Sequence, residues 1–184
     1  DALAGFKQAF PAAGDAELIE AWGGVIDMTP DQAPIVQKIE QIPGIVGTSP
    51  RVAAGVTYFY RNHDASSTLY GIDPGDERAT TKVADHMIEG EYLSDGDTGS
   101  IIMGITLAGQ EEEEAGGLPT LQGVRVGGSV EVAYPNGETR TYQVKGIYET
   151  QSFNADAAAF VTSQEMSEVL GLHDQASMIL VKTA

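Results

Sequence analysis

Apolar residues first adopt a helical spacing shortly after residue 28. Thr29 is followed by a proline and, three positions later, by Gln32, which together form a capping box with proline at the first helical position. Three isoleucines then recur at helical spacing: Ile35, Ile39 and Ile42. Pro43–Gly44 ends the segment. The pattern predicts an amphipathic helix that buries one apolar stripe.

The C-terminal region shows a similar helix with a strand on each side. The apolar run 157–162 predicts a strand, and Thr162 with Glu165 forms a second capping box. The helix carries three apolar residues, Met166, Val169 and Leu170. Gly171 ends it, and the run 176–182 predicts a closing strand. The segment is therefore predicted as β-α-β.

The middle of the chain is rich in strand patterns. Residues 51–62 and 67–73 predict two strands separated by a polar turn at His63–Ser66. Two further segments are predicted, a helix or turn-helix over 76–87 and a short buried strand over 99–104. Asn136–Gly137 lies between two β-rich arms, which is a strong hairpin signal. These patterns indicate a mostly β middle region.

The order of these elements predicts an α+β fold. Residues 16–29 contain one strand, whose position Gly23 and Gly24 leave open, so the N-terminal region is also β-α-β. We therefore predict a ferredoxin-like β-α-β layer, formed by both chain ends, with an inserted β-rich subdomain. The corresponding ranges are 16–62 with 157–184 for the α+β subdomain and 63–156 for the insertion.

Charge and cysteine content exclude several classes of function. The chain has 27 acidic and 10 basic residues, a formal net charge of -17, so it cannot present a basic face to nucleic acid. Binding to anionic lipid is disfavoured for the same reason. The acids are spread along the chain, which favours a dispersed surface adapted to high salt; acids gathered around cations or a basic partner are the alternative. With no cysteine, disulfides, cysteine-ligated zinc and thiol nucleophiles are excluded.

The residues that usually carry chemistry do not form recognisable motifs. His63, His86 and His173 have no metal-ligand spacing. The segment 95–99 resembles a calcium loop only briefly, because Ser100 and Thr106 occupy the positions that need glycine and glutamate. The sequence has no nucleophile elbow and no phosphate loop. We therefore predict no catalytic, metal-binding or cofactor-binding residue and no enzymatic activity.

Five short motifs, in order, resemble one family. They are "IEQIPGIVGTSPRV", "LYGIDPGDERATTKVADHMIEGEYL", "GSIIMGITLA", "VRVGGSVEV" and "YQVKGIYETQSFNADAAAFVT". In order and spacing they are similar to the extracytoplasmic core domain of MacB/LolC/FtsX-type ABC transporter permeases, over about residues 30–182. The family's scaffold positions correspond to Gly71, Asp73, Pro74, Glu89, Gly90, Gly104, Leu107, Gly127, Gly146, Glu149 and Thr150.

The sequence departs from the family pattern at several places. Gly128 stands where aspartate is usual, and Gln151 replaces a common glycine. Residues 110–122, with four consecutive glutamates, predict a longer loop than the family's compact connection. Residues 1–29 match poorly, and no segment resembles the long hook of lipoprotein-extracting members. The resemblance therefore does not extend to lipoprotein extraction.

The resemblance implies a position and partners. Such a domain lies on the extracellular face of the cell membrane, between two transmembrane helices, and residues 1–15 would be an extension toward one of them. Its implied partners are an ABC ATPase subunit or domain reached through those helices, a second permease copy or paralogue, and an unknown extracellular substrate or protein. ATP would be bound by the cytoplasmic ATPase, and this domain would hold no cofactor. The segments 46–60 and 176–181 would relay movement to the outer subdomain.

Two other functions remain open from the sequence. A stand-alone extracellular solute-binding or sensor module would need a concave pocket with convergent polar groups. A secreted hydrolase would need a working pair among the many carboxylates. Spanning segments on both sides of the chain and an ATPase encoded alongside would distinguish the transporter domain from both.

Overall fold

A mixed sheet of nine strands runs through the described part of the chain. The computed structural model describes residues 32–109 and 120–184 and the backbone of residues 25–27. The strands are β1 (Val25–Asp27), β2 (Ile45–Tyr60), β3 (His63–Ile72), β4 (Met87–Gly90), β5 (Ser100–Gly104), β6 (Ser129–Ala133), β7 (Thr139–Tyr148), β8 (Ala159–Thr162) and β9 (Met178–Thr183). The helices are α1 (Gln32–Glu40), α2 (Pro74–Thr80), α3 (Ile105–Ala108), α4 (Phe153–Asp156), α5 (Ser163–Leu170) and a 3-10 helix (Val83–His86).

The long strand β2 organises the sheet. The strand order is β1-β9-β2-β3-β8-β5-β7-β4, and β6 pairs with both β2 and β7. Residues 45–51 of β2 pair with β9, and residues 51–60 pair with β3. A strand of 16 residues spans about 50 Å at the usual rise per residue. One strand therefore runs from the side of the C-terminus to the opposite end of the sheet.

The predicted position of the turn between β2 and β3 is wrong. The turn lies at residues 61–62, where Arg61 has a φ of 54°, and His63–Ser66 belongs to β3. The polar residues of that segment alternate with Ala65, which is buried beside Leu69 in the core. A segment in which a small buried residue alternates with polar residues is typical of a half-exposed strand. Its polar composition is also typical of a turn, which is why a turn was predicted there.

Several elements form where local sequence signals predict them. Thr162 caps α5 by accepting a hydrogen bond from the Glu165 amide, and Gly171 ends that helix with a φ of 67°. The β6–β7 hairpin turns at Asn136–Gly137 as predicted. The predicted cap of α1 at Thr29 lies outside the described residues, as does most of the predicted strand over 16–29, of which β1 is the described part.

Three groups of buried residues form the core. The largest packs α5 on one face of the sheet, with Met166 and Val169 against residues such as Val52. The second lies on the opposite face and includes Tyr148 and Phe160. The third packs α1 on β9 and consists of Ile39, Ile42, Ala176, Ile179 and Val181. The sheet is therefore covered on both faces near its middle.

The described helices are short. Within those residues, none combines the length and the apolar run that crossing a bilayer requires. The mixed sheet with helices on its faces fits the predicted α+β class. The division into a discontinuous α+β subdomain and an inserted β-rich one stays a prediction.

Candidate functional site

The motif residues occupy three junctions, two of them between a helix and the sheet and one between strands. Gly71, Asp73 and Pro74 lie where β3 leads into α2. Glu89, Gly90 and Gly146 lie where β4 pairs with β7, and Gly127 lies beside them, with its amide bonded to the Val144 carbonyl. The remaining motif residues, Gly104, Leu107, Glu149 and Thr150, surround α3 and the connection from β7 to α4. The structure therefore distributes them over three separate places and does not gather them into a single cleft.

The first junction begins with a capped helix. Asp73 Oδ1 accepts hydrogen bonds from the Gly75 amide at 2.9 Å and the Asp76 amide at 3.0 Å. Pro74 follows at the first helical position, where its missing N–H has no bond to lose. The Asp-Pro pair thus starts α2 directly after β3.

A buried ion pair then fixes α2 to β2. Glu77 is fully buried and accepts two bonds from Arg51, at 2.6 and 3.0 Å, one from Ser49 at 2.6 Å and one from Thr81 at 2.6 Å. Burial alone would raise the pKa of Glu77, but the hydrogen bonds and the charge of Arg51, together with the two hydroxyl donors, outweigh it and lower that pKa. The carboxylate therefore stays ionised at neutral pH and holds α2 and the residue that ends it against β2.

The Arg51 guanidinium also packs on aromatic rings. Its Cζ atom lies 5.0 Å from the ring centroid of Tyr70 and 5.1 Å from that of Phe160. Both distances are within cation–π range. Because Tyr70 is on β3 and Phe160 on β8, Arg51 connects α2 to the middle of the sheet.

The second junction depends on two glycines that face each other. Gly90 has a φ of 69°, and a side chain there would collide with the Lys145 carbonyl and with Val126. Gly146, its partner on β7, is equally crowded by Met87 and the Glu91 carbonyl. Glu89 forms an exposed ion pair with Arg125 at 3.5 Å. The end of β4 can therefore approach β7 only without side chains at these two positions.

The third junction is centred on Asp156, which is buried. Its Oδ1 atom accepts bonds from the Thr150 amide at 2.7 Å and the Thr150 hydroxyl at 2.8 Å. The Tyr148 hydroxyl donates to the carbonyls of Ala155 and Ala158, each at 2.8 Å. A side chain at Gly104 would collide with the Asp156 backbone. Helix α4 is thus held directly against the end of β5.

Carboxylates also accumulate near the start of α2. The pKa of Asp76 is raised, first by partial burial and then by the nearby charges of Asp73, Glu40 and Asp95. The three helical or loop segments that carry these acids therefore repel one another weakly at neutral pH. Among the described residues, no group of three or more His, Asp or Glu side chains is arranged to hold a metal ion.

The three histidines lie in different elements of the fold. His63 begins β3, His86 ends the 3-10 helix and His173 precedes β9. A polar crevice of about 180 Å³ lies between α1 and α5, and its lining includes Ser163, Ser167 and Asp174 but none of these histidines. The described residues therefore offer no serine–histidine pair in this crevice that could act as nucleophile and base.

Sequence reasoning missed the charged partners of the motif glycines. Arg51, Glu77 and Asp156 carry the bonds described above, and none was among the predicted positions. Glu77 lies four residues after the cap of α2, on the same side of the helix as Thr81, but nothing in the sequence distinguishes it from the exposed acids. Only their pairing across distant strands marks these residues.

Sequence comparisons return no match, whereas structure comparisons return many. No protein-family model matches the chain, and no curated protein matches it. Among the solved structures, 29 chains match. One is the extracellular domain of the noncanonic ABC-type transporter YknZ from Gram-positive bacteria, with 15% identity, a TM-score of 0.59, and coverage of 86% of this chain and 81% of that one.

Two further matches have the same character. The periplasmic region of MacB from Actinobacillus actinomycetemcomitans is 14% identical, with a TM-score of 0.56. The match covers 86% of this chain and 66% of that one. A domain of a proposed permease from Porphyromonas gingivalis is 16% identical, with a TM-score of 0.51 and coverage of 86% and 69%. The α+β prediction and the predicted resemblance are confirmed, because this chain has the fold of the extracellular domain of YknZ and of the periplasmic region of MacB.

Proposed function

We propose that this chain is the extracytoplasmic domain of an ABC transporter permease and couples ATP hydrolysis in the cytoplasm to the handling of a substrate or partner outside. The observation that carries the proposal is the fold likeness to such domains over 86% of the chain. The ordered sequence motifs support it independently, because they rest on residue identities and spacing and not on backbone geometry. The domain itself performs no chemistry and binds no cofactor.

The fastened junctions explain how such a domain could transmit force. Short helices are fixed to the sheet by buried bonds at Glu77 and Asp156, so displacement of one strand must carry its neighbours with it. Strand β2 and strand β9 run side by side from the C-terminal end of the described chain into the sheet. A pull on either strand reaches the sheet through backbone hydrogen bonds along its whole length.

A solute-binding module is the alternative, and the crevice between α1 and α5 is too small to support it. Small-molecule pockets usually measure about 300–1,000 Å³ with mostly apolar walls. The crevice between α1 and α5 measures about 180 Å³, and Gln32, Ser163 and Gln164 contribute to its lining. Its size and polarity fit water better than a solute.

Membrane topology provides the test. A cysteine replacing the exposed Lys38, in the full-length protein that contains this cysteine-free chain, should react with a membrane-impermeant maleimide added to intact cells. The ATPase encoded with the protein should co-purify with it in detergent. Labelling only after cell lysis would overturn the extracellular placement, and purification without any ATPase would favour the stand-alone module.

A further inference from the structure

Helices α1 and α5 cover the same face of the sheet but belong to different cores. Ile39 of α1 packs with Ile179, which lies opposite Pro50 of β2. Met166 of α5 packs with Val52, two residues further along the same strand and so on the same face. We call β1, residues 32–50 and residues 174–184 the α1 layer, and the other described residues the body. The two parts have separate hydrophobic cores.

A polar crevice separates the α1 layer from the body on this face. Gln32 of α1 lines one side, Ser163 and Ser167 of α5 line the other, and Asp174 and Gln175 close one end. The Gln32 Oε1 atom is buried and has no hydrogen-bond partner among residues 32–109 and 120–184. Among the described residues, the space between α1 and α5 at this level is therefore an open polar crevice of about 180 Å³.

The opposite face is fastened at the same level of β2. Ser49 and Arg51 both donate to Glu77 of α2. The same helix contacts the α1 layer, because Lys182 of β9 donates to the Ala79 carbonyl at 2.8 Å. Helix α2 is therefore bound to both parts directly behind the crevice.

Strand β2 changes partners there. Pro50 has no N–H, so β2 donates no backbone hydrogen bond at that residue. The pairing with β9 ends at Arg51, where the pairing with β3 begins. Beyond that point Ser177 joins the α1 layer to the body, since its amide donates to the Arg51 carbonyl and its hydroxyl accepts from the Ala53 amide. Pro50 and Val52 help to form the floor of the crevice.

We propose that residues 50–52 of β2 are a hinge, about which the α1 layer swings against the body to open and close the crevice. The Arg51–Glu77 pair is the pivot on the closed face, and the polar crevice on the other face gives the movement room. That this movement serves transport rests on the function proposed above, whereas the hinge is a property of the chain alone.

Spin labels on the isolated 184-residue chain test the hinge, since the chain has no cysteine of its own. The test pair, Lys38→Cys with Glu168→Cys, places one label on α1 and one on α5, across the crevice. The control pair, Glu131→Cys with Glu168→Cys, places both labels within the body. All three positions are exposed. Pulsed dipolar spectroscopy should give a distance distribution for the first pair about twice as wide as for the control, as hinge motion requires.

Two variants separate a hinge from general loosening. Glu77→Gln should widen the first distribution further and leave the control pair unchanged. Ile101→Ala removes buried volume from the body core and should widen neither. Equal widths for the two pairs in the unaltered chain, or equal broadening by both variants, would overturn the hinge. A narrow distance distribution for the Lys38→Cys with Glu168→Cys pair would overturn the hinge but not the proposed transporter function. Failure of the proposed transporter function, in turn, would leave the spin-label evidence for the hinge unaffected.

Discussion

Two buried carboxylates hold the short helices α2 and α4 in position on the sheet. Glu77 accepts four bonds from side chains of β2 and of Thr81, and Asp156 accepts two from Thr150. A buried charge with all its partners in place contributes little net stability, but removing one partner leaves the other uncompensated. Single substitutions at these residues should therefore be far more costly than at the many exposed acids.

Glu77→Gln tests this at the first junction. The amide cannot neutralise the Arg51 guanidinium, whose side chain is 12% exposed, so the free energy of unfolding should fall by about 3 kcal/mol in urea titrations. Glu168→Gln, an exposed change of the same chemistry, should alter it by less than about 0.5 kcal/mol. Similar losses for the two variants would contradict the assigned role of the pair.

Acid titration adds a second readout for the same residue. Because the folded state lowers the pKa of Glu77 below its ordinary value of 4.5, its contribution is complete above that pH and is lost as the pH falls through the folded-state value. Stability should therefore decline more steeply below about pH 4.5 in the unaltered chain than in Glu77→Gln. Parallel pH profiles would show that another group is responsible.

Gly104→Ala tests the third junction by steric conflict. The new methyl group would collide with the Asp156 backbone, so α4 must shift, and we expect a loss of about 2 kcal/mol or more. Gly55→Ala is the matched control, because a side chain at that position of β2 meets nothing within 4 Å. Thermal melts should show a clear drop for the first variant and none for the second. Equal midpoints would refute the close approach.

At the scale of elements, the sequence predicted those that carry their own local signals. Helix α5 has its cap and its terminal glycine, and the β6–β7 hairpin has Asn136–Gly137. Helix α4, of four residues, was not predicted, because its position depends on contacts with distant strands and not on periodicity. The start of β3 was missed because a half-exposed polar strand and a turn have similar composition.

The contribution of the Asp73 cap of helix α2 to stability can be measured. Replacing Asp73 by alanine removes the acceptor for two backbone amides and should cost about 1 kcal/mol. Asp73→Asn keeps an acceptor oxygen in the same position and should retain most of that stability. Urea unfolding of both variants distinguishes the two outcomes. If asparagine is as damaging as alanine, the charge matters and the cap does not.

At the scale of the molecule, the fold was recognisable from five ordered motifs although overall identity to the matching structures is 14–16%. The pairing of β2 first with β9 and then with β3 could not be predicted, since no local pattern in residues 45–60 marks where the partner changes. Neither could the Arg51–Glu77 bond, which joins residues 26 positions apart. Long-range pairings of this kind leave no periodic trace in the sequence.

The net charge of -17 predicts a salt-dependent stability. Four ion pairs are present among the described side chains, too few to balance the excess of acids, so self-repulsion should dominate at low salt. Thermal midpoints should rise as KCl increases from tens of millimolar to molar levels, because screening relieves that repulsion. A flat or falling midpoint would indicate specific acidic sites instead of a dispersed acidic surface.

The central claim is that ATP hydrolysis on one side of a membrane moves this domain on the other. Amide hydrogen exchange of the full assembly in lipid nanodiscs, compared between nucleotide-free and ATP-trapped states, tests it without knowledge of the substrate. We expect changed exchange in α1, β9 and residues 45–51 of β2, and no change on adding ATP when the ATPase carries a substitution that prevents nucleotide binding. Identical exchange throughout this domain in the two nucleotide states would contradict the claim.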